Sequence, residues 1–162
     1  MTKRFLFAFS ILGILLTSHI SAEEPAQKFV LENGMTIIVK RMPSSPTVSL
    51  RALVKNGSAT EGPYLGMGVS HFIEHMLFKG TLRRPVGQIA KEIQSLGGEI
   101  NASTSLDYTV FKVDLPSEAL TEGIDVLGDM LANAVFDPSE VEKEREVVVA
   151  RCDSTATGPS GA

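Results

Sequence analysis

Between Val54 and Leu65 the apolar residues change their spacing, and that change limits the chain to folds that combine strands with helices. Before it, "TVSLRALVKNGSATEG" places Val48, Leu50, Ala52 and Val54 at every second position, the period of a half-buried strand. After it, Val69, Phe72, Ile73, Met76 and Leu77 fall broadly on one side of a helix predicted from about Leu65 to Phe78. Gly62 and Pro63 break the chain between the two regimes. Gly80 and Pro85 bracket the helix end, and a second helix is predicted from about Pro85 to Leu96, with Pro85 near its start.

The same alternation of periods recurs along the rest of the chain. "KFVLENGMTIIVKRM" reads as two strands around Asn33-Gly34, the strongest short hairpin signal. "GGEINASTSLDYTVFKVDLP" reads as two more strands, with Val110, Phe111 and Val113 in the second. Ser117 and Glu118 open a predicted helix to about Ala134, carrying Leu120, Ile124, Leu127, Met130 and Leu131 at three- and four-residue steps. "DPSEVEKEREVVVA" restarts a helix, with Asp137 or Ser139 as its cap and acids in its first turn. Strands, a helix pair, strands and a helix pair make an α+β fold, with helices packed on an antiparallel sheet.

The bulk properties narrow the function classes. A length of 162 residues allows one ordinary domain, and 43% hydrophobic against 21% charged residues is a globular rather than a disordered composition. The net charge of −4 argues against nucleic acid as a partner, because no basic stripe offsets it. A single cysteine, Cys152, excludes an internal disulfide framework. Residues 1–22 read as a secretory signal peptide. Lys3 and Arg4 give the positive start, Phe5 to Leu16 the short apolar core, and Ala22 the cleavage position. That core is shorter than the ~20 residues that span a bilayer, so the chain is expected to be free of the membrane after cleavage, in the periplasm or secreted. Cleavage removes two bases and no acid, so the charge becomes −4 − 2 = −6. The remaining organisation is a domain over 23–150 and an atypical tail over 151–162.

Chemistry concentrates in "GVSHFIEHMLFKGT", residues 68–81, which holds two of the three histidines. Residues four apart on a helix share a face, so His71 and His75 point the same way at the spacing two imidazoles need to share one metal ion. Glu74 lies on the flank of that face, placed to stay off the metal and take a proton from a metal-bound water. Zinc lowers the pKa of such a water toward ~7. The pattern H-x-x-E-H is the inverted form of the zincin motif.

This segment resembles the signature of the insulinase/pitrilysin family of zinc metallopeptidases, the inverzincins. "LENGMTIIVKRM" is similar to that family's opening hairpin and "VKNGSATEG" to the strand before its catalytic helix. "LGGEINASTSLDYTVF" is similar to its substrate-facing strand pair, and "FDPSEVEKEREVVVA" to the helix that brings the third ligand. The likeness runs from about Phe29 to Ala150. It implies the N-terminal half-domain of the insulinase/mitochondrial-processing-peptidase-like metallohydrolase fold, with one Zn²⁺ held by His71 and His75 and with Glu74 as general base. It also implies that Asn101 and Ala102 offer hydrogen bonds to an extended peptide substrate, and that Glu144 is the supporting acid on the later helix.

One position departs from this likeness. The third ligand implied is a glutamate seven residues beyond Glu144, and Arg151 stands there. A guanidinium stays protonated and cannot bind zinc. Asp153 and Cys152 are out of register for the role, and "RCDSTATGPSGA" drops the helical pattern. A shifted reading frame can encode Glu-Met-Arg-Gln-Tyr-Arg-Asp-Arg-Pro over this tail, so a truncated or frameshifted end near Ala150 is the expectation. The family's second half, or a second peptidase-like subunit, would have to close over the substrate. Two other readings remain open: a non-catalytic partner subunit of a two-chain peptidase, and a metalloenzyme like S-ribosylhomocysteine lyase, which also uses H-x-x-E-H.

Overall fold

A computed structural model of the chain describes residues 24–156, with side chains through residue 147. The signal-peptide reading of residues 1–22 and the last six residues lie outside the described part. The chain divides into two units, one ending at Ser44 and one beginning at Ser45. The first is an antiparallel hairpin of β1 (Gln27–Val30) and β2 (Thr36–Val39), with Gln27 opposite Val39 and Val30 opposite Thr36. Its turn is the predicted Asn33-Gly34. Gly34 takes φ +83°, and Asn33 Oδ1 accepts the Met35 N–H at 3.0 Å.

The second unit carries the α+β fold expected from the sequence. β3 (Thr47–Val54), β4 (Glu99–Thr104) and β5 (Thr109–Pro116) form an antiparallel sheet in the order β3-β5-β4, which leaves β4 on an edge. β5 is central and alternates strictly. Phe111, Val113 and Leu115 are buried on one face, while Asp114 on the other face meets Ser49 and Arg51 of β3. Four helices follow the predicted order: α1 (Val69–Leu77), α2 (Gln88–Ser95), α3 (Leu120–Asn133) and α4 (Pro138–Ala156). Ile89 and Ile93 of α2 and Val126, Leu127 and Met130 of α3 close over Phe111, Val113 and Leu115 to make the core.

Several boundaries and faces differ from the sequence expectation, each for a local reason. α1 begins at Val69, four residues later than the periodicity suggests. Gly66 and Gly68 take positive φ (84° and 74°), and two short 3-10 turns occupy Ser58–Thr60 and Gly62–Tyr64. α2 begins at Gln88 because Gly87, at φ +80°, turns the chain after Pro85. On α3 the buried stripe is Gly123, Val126, Leu127 and Met130, so Leu120 and Ile124 lie exposed on its flank. Gly123 sits under the sheet, where a β-carbon would come within 2.2 Å of Leu115 Cδ1. Val54, at the end of edge strand β3, is also exposed rather than half-buried. α4 is capped by Asp137, whose Oδ1 accepts the Ser139 N–H at 2.8 Å. The helix continues to Ala156, six residues past the point where the sequence pattern lapses.

A buried ion cluster ties the segment after α1 to the two helices over the sheet. Arg84, only 5% exposed, forks onto Glu92 of α2 through Nε and Nη2 (3.0 Å each) and reaches Asp129 of α3 through Nη1 at 2.7 Å. Hydrogen bonds from Thr81 and Asn133, reinforced by Arg84, pull the Asp129 carboxyl down to about 2. Every strong donor and acceptor in this cluster is paired, which is the condition for keeping charge out of water.

Candidate active site

α1 packs beside edge strand β4 and against α4, and the candidate residues come from these three elements. The N-terminus of α1 has no cap of its own, because Gly68 carries no side chain. Glu61 supplies the acceptor instead, through Oε1 to the Ser70 N–H at 2.8 Å. A carboxylate there also suits the positive end of the helix. Glu61 Oε2 is buried without a partner.

The i, i+4 expectation for the histidines holds. His71 Nε2 and His75 Nε2 stand 3.1 Å apart, with the rings edge-on at 82°. His75 Nδ1 lies 2.8 Å from Glu144 Oε2 of α4, and Glu144 Oε1 lies 2.5 Å from Lys79 Nζ. Burial pushes the Glu144 carboxyl up, but hydrogen bonds from Lys79 and His75 outweigh it and hold the group below its usual range. An ionised carboxylate only accepts, so His75 Nδ1 donates to Glu144, and Nε2 is the ring nitrogen that faces His71.

Glu74 is 8% exposed and accepts a 2.6 Å hydrogen bond from Thr104 Oγ1 of β4 at Oε2. It lines a cavity of about 560 Å³ together with His71, His75, Ser58, Glu61 and the β4 residues Asn101 to Thr104. A second cavity of about 360 Å³ continues along β4 past Glu74 and His75 to Phe78, Lys79, Glu144 and Val147. His71, Glu74, His75, Asn101, Ala102 and Glu144 are therefore all brought to one groove beside an edge strand. Asn101 differs in detail from the expectation. Its Oδ1 accepts the Ala102 N–H at 2.8 Å, so that donor is already taken.

Two nitrogens bound tetrahedrally at ~2.0–2.1 Å from one ion lie about 3.3 Å apart, close to the histidine separation here. The outward Nδ1 hydrogen bond to a carboxylate is the usual support for such a ligand. The pair therefore fits one ion. A full set does not assemble, since no group of three His, Cys, Asp or Glu is arranged to hold a metal among the described residues. Arg151 falls on the α4 backbone seven positions after Glu144.

Sequence reasoning passed over Lys79, Thr104 and Glu61. The first two left a signal, since Lys79 is four residues after His75, and Thr104 shares the strand face of Ile100 and Ala102. Glu61 left none, because its role depends on the folding of the 3-10 turns.

The chain is similar to known proteins. The model of the family described as Insulinase (Peptidase family M16) matches residues 36–159, past Arg151 into the tail. An uncharacterized zinc protease, YmxG, of Bacillus subtilis is 35% identical over 122 residues, covering 75% of this chain and 30% of that protein. The beta subunit of the mitochondrial-processing peptidase of Blastocladiella emersonii is 36% identical over 119 residues, covering 74% of this chain and 25% of the subunit. The crystal structure of a protease from Helicobacter pylori superposes with a TM-score of 0.75 at 25% identity, over 80% of this chain and 31% of that one. The chain thus spans about a quarter to a third of the length of these proteins. By sequence along most of its length and by fold, it belongs to the insulinase family, peptidase family M16.

Proposed function

We propose that the chain is a zinc metallopeptidase half-domain in which His71 and His75 hold one metal ion and Glu74 is the general base of peptide-bond hydrolysis. The observation that carries this reading is the convergence of the two imidazole nitrogens at 3.1 Å in the groove that Glu74 lines. Zinc, when bound, acidifies a water and polarises the scissile carbonyl. Thr104 holds one Glu74 oxygen and leaves the other to take the proton of the attacking water and return it to the departing amine. An extended peptide would add to the free edge of β4, a mode that reads main chain. To do so it must displace Asn101 Oδ1 from the Ala102 N–H, after which both groups can serve the peptide.

By itself the chain is expected to bind zinc weakly and to have little or no activity. Two imidazoles without a third protein donor among the described residues make a poor site. That incomplete donor set also favours a second reading, a non-catalytic partner subunit. Family membership leaves the lyase comparison without support. We further place the chain in the periplasm or outside the cell, on its leader-like first 22 residues. Zinc content after dialysis, with cleavage of an unstructured peptide by wild type and Glu74→Gln, separates the readings. Zinc retained by both and cleavage only by wild type supports the peptidase. Zinc with no cleavage, alone or with added relatives' subunits, favours the partner subunit, and cleavage surviving Glu74→Gln sinks the assignment of the base.

A further inference from the structure

We infer that Lys79 is a positioning residue for His75, acting through Glu144 to fix which ring nitrogen of the histidine faces the groove. The inference rests on the proposed metal-binding role of His75 only for its consequence, not for its geometry.

The arrangement is a chain of three contacts. Lys79 Nζ binds Glu144 Oε1 at 2.5 Å, Glu144 Oε2 binds His75 Nδ1 at 2.8 Å, and His75 Nε2 faces His71 Nε2 at 3.1 Å. Glu144 is only 7% exposed, so little water reaches it to orient the carboxylate. Its neighbours on α4 do not serve it. Lys143 pairs with Glu140 at 2.6 Å, and Arg145 pairs with Glu142. Among the described residues, the cation paired with Glu144 comes from just beyond the C-terminal end of α1. The Lys79 N–H bonds Met76 O there, and a positive charge is favoured at that end. With Oε1 pinned, Oε2 is presented to Nδ1 in one orientation, and the imidazole must donate to it. Without Lys79 the carboxylate is free to swing about its last torsions, Nδ1 loses a fixed acceptor, and the ring can carry its proton on either nitrogen. Only one of those forms offers Nε2 as a metal donor.

The test is nitrogen-15 NMR of the histidine rings in the full metal-free chain, with the His75 signals identified by their loss in His75→Asn. Wild type is expected to show His75 as the Nδ1–H tautomer. Lys79→Met, which keeps most of the apolar stem, is expected to show a mixture of both forms, and Lys79→Arg to restore the single form. Competition with a zinc-binding dye should then show affinity lowered about tenfold in Lys79→Met, the lower end for loss of an outer partner. A Lys79→Met chain with the wild-type tautomer overturns the inference. A wild type that shows the tautomer change on mutation but binds no zinc leaves the inference standing and removes the metal reading. Should Lys79→Met not fold, Lys79→Gln compared with Lys79→Arg decides by the same spectra.

Discussion

Gly57→Ala is the substitution whose cost the structure fixes most narrowly. Gly57 is buried and extended at φ −148° and ψ −172°, a conformation alanine adopts freely, so backbone strain contributes nothing. The cost is steric. A β-carbon there would lie 2.4 Å from Ser105 O, 2.5 Å from Leu106 O and 2.7 Å from Leu106 C, all backbone atoms of the turn between β4 and β5. Relieving these contacts requires a separation of roughly 1 Å, too much for the two bonds that clamp the same segments together. Those are Ser58 N to Ser105 O at 3.0 Å and Ala59 N to Leu106 O at 2.9 Å. Two lost hydrogen bonds at ~1 kcal/mol each and overpacking at ~1–3 kcal/mol sum to about 3–5 kcal/mol. Against a typical total of ~5–15 kcal/mol, that is a large share. Urea unfolding followed by circular dichroism should show the midpoint lowered by about 1 M or more at unchanged slope. A change within about 0.5 kcal/mol would mean that the turn yields without loss, and the close approach of backbone to backbone would not be what requires glycine.

Other substitutions separate the remaining contributions. Gly128→Ala, in mid-α3 with open space around it, should stabilise the chain by about 0.8–1 kcal/mol in the same urea assay, through helix propensity alone. Met76→Ala, at a fully buried position on α1, should cost about 2–5 kcal/mol and lower the melting temperature. Acid should weaken the fold, because the Asp129 pKa is lowered from 3.8 to about 2. Its contribution is present above the unfolded value and is lost as pH falls through the folded one. Denaturation midpoints between pH 4 and pH 2 should therefore fall less steeply in Asp129→Asn. Arg151→Glu places a carboxylate seven positions after Glu144 on α4 and should raise zinc affinity at least tenfold in the dye assay. An unchanged affinity there would remove that position from the metal site.

The parts of the fold legible in the sequence are those where one local rule acts alone. The strand β5 was legible from its apolar residues Val110, Phe111 and Val113, and Asn33-Gly34 marked a hairpin turn because few other pairs accept its geometry. Helix starts were not legible in the same way. The apolar period continues back through Tyr64 and Leu65, but Gly66 and Gly68 adopt positive φ, and a propensity argument cannot tell a permissive glycine from one that is actually turned. Of the residues expected on the apolar face of α3, Leu127 and Met130 are buried and Leu131 packs against the core, but Leu120 and Ile124 are not, for a related reason. Leu120 and Ile124 satisfy the helical period, yet the helix settles where Gly123 lets it approach Leu115, so the smallest residue, not the largest, decides the buried stripe.

The candidate site divides along the same line. His71 and His75 needed only the pitch of a helix to be seen as a pair, and Glu74 only its place between them. Glu144, 69 residues beyond His75, entered through resemblance alone, since no spacing rule reaches across four intervening strands and helices. Lys79 and Thr104 were visible at the right spacing but had no assigned partner until α4 and β4 were in place. Their roles come from what they hold: Lys79 binds Glu144, which in turn binds His75, and Thr104 holds one oxygen of Glu74. Such roles follow from burial. A glutamate open to solvent could be oriented by water, whereas Glu74 and Glu144, both under 10% exposed, depend on protein donors for their geometry. The candidate residues can thus be read from a motif, but the donors that aim them are fixed by packing.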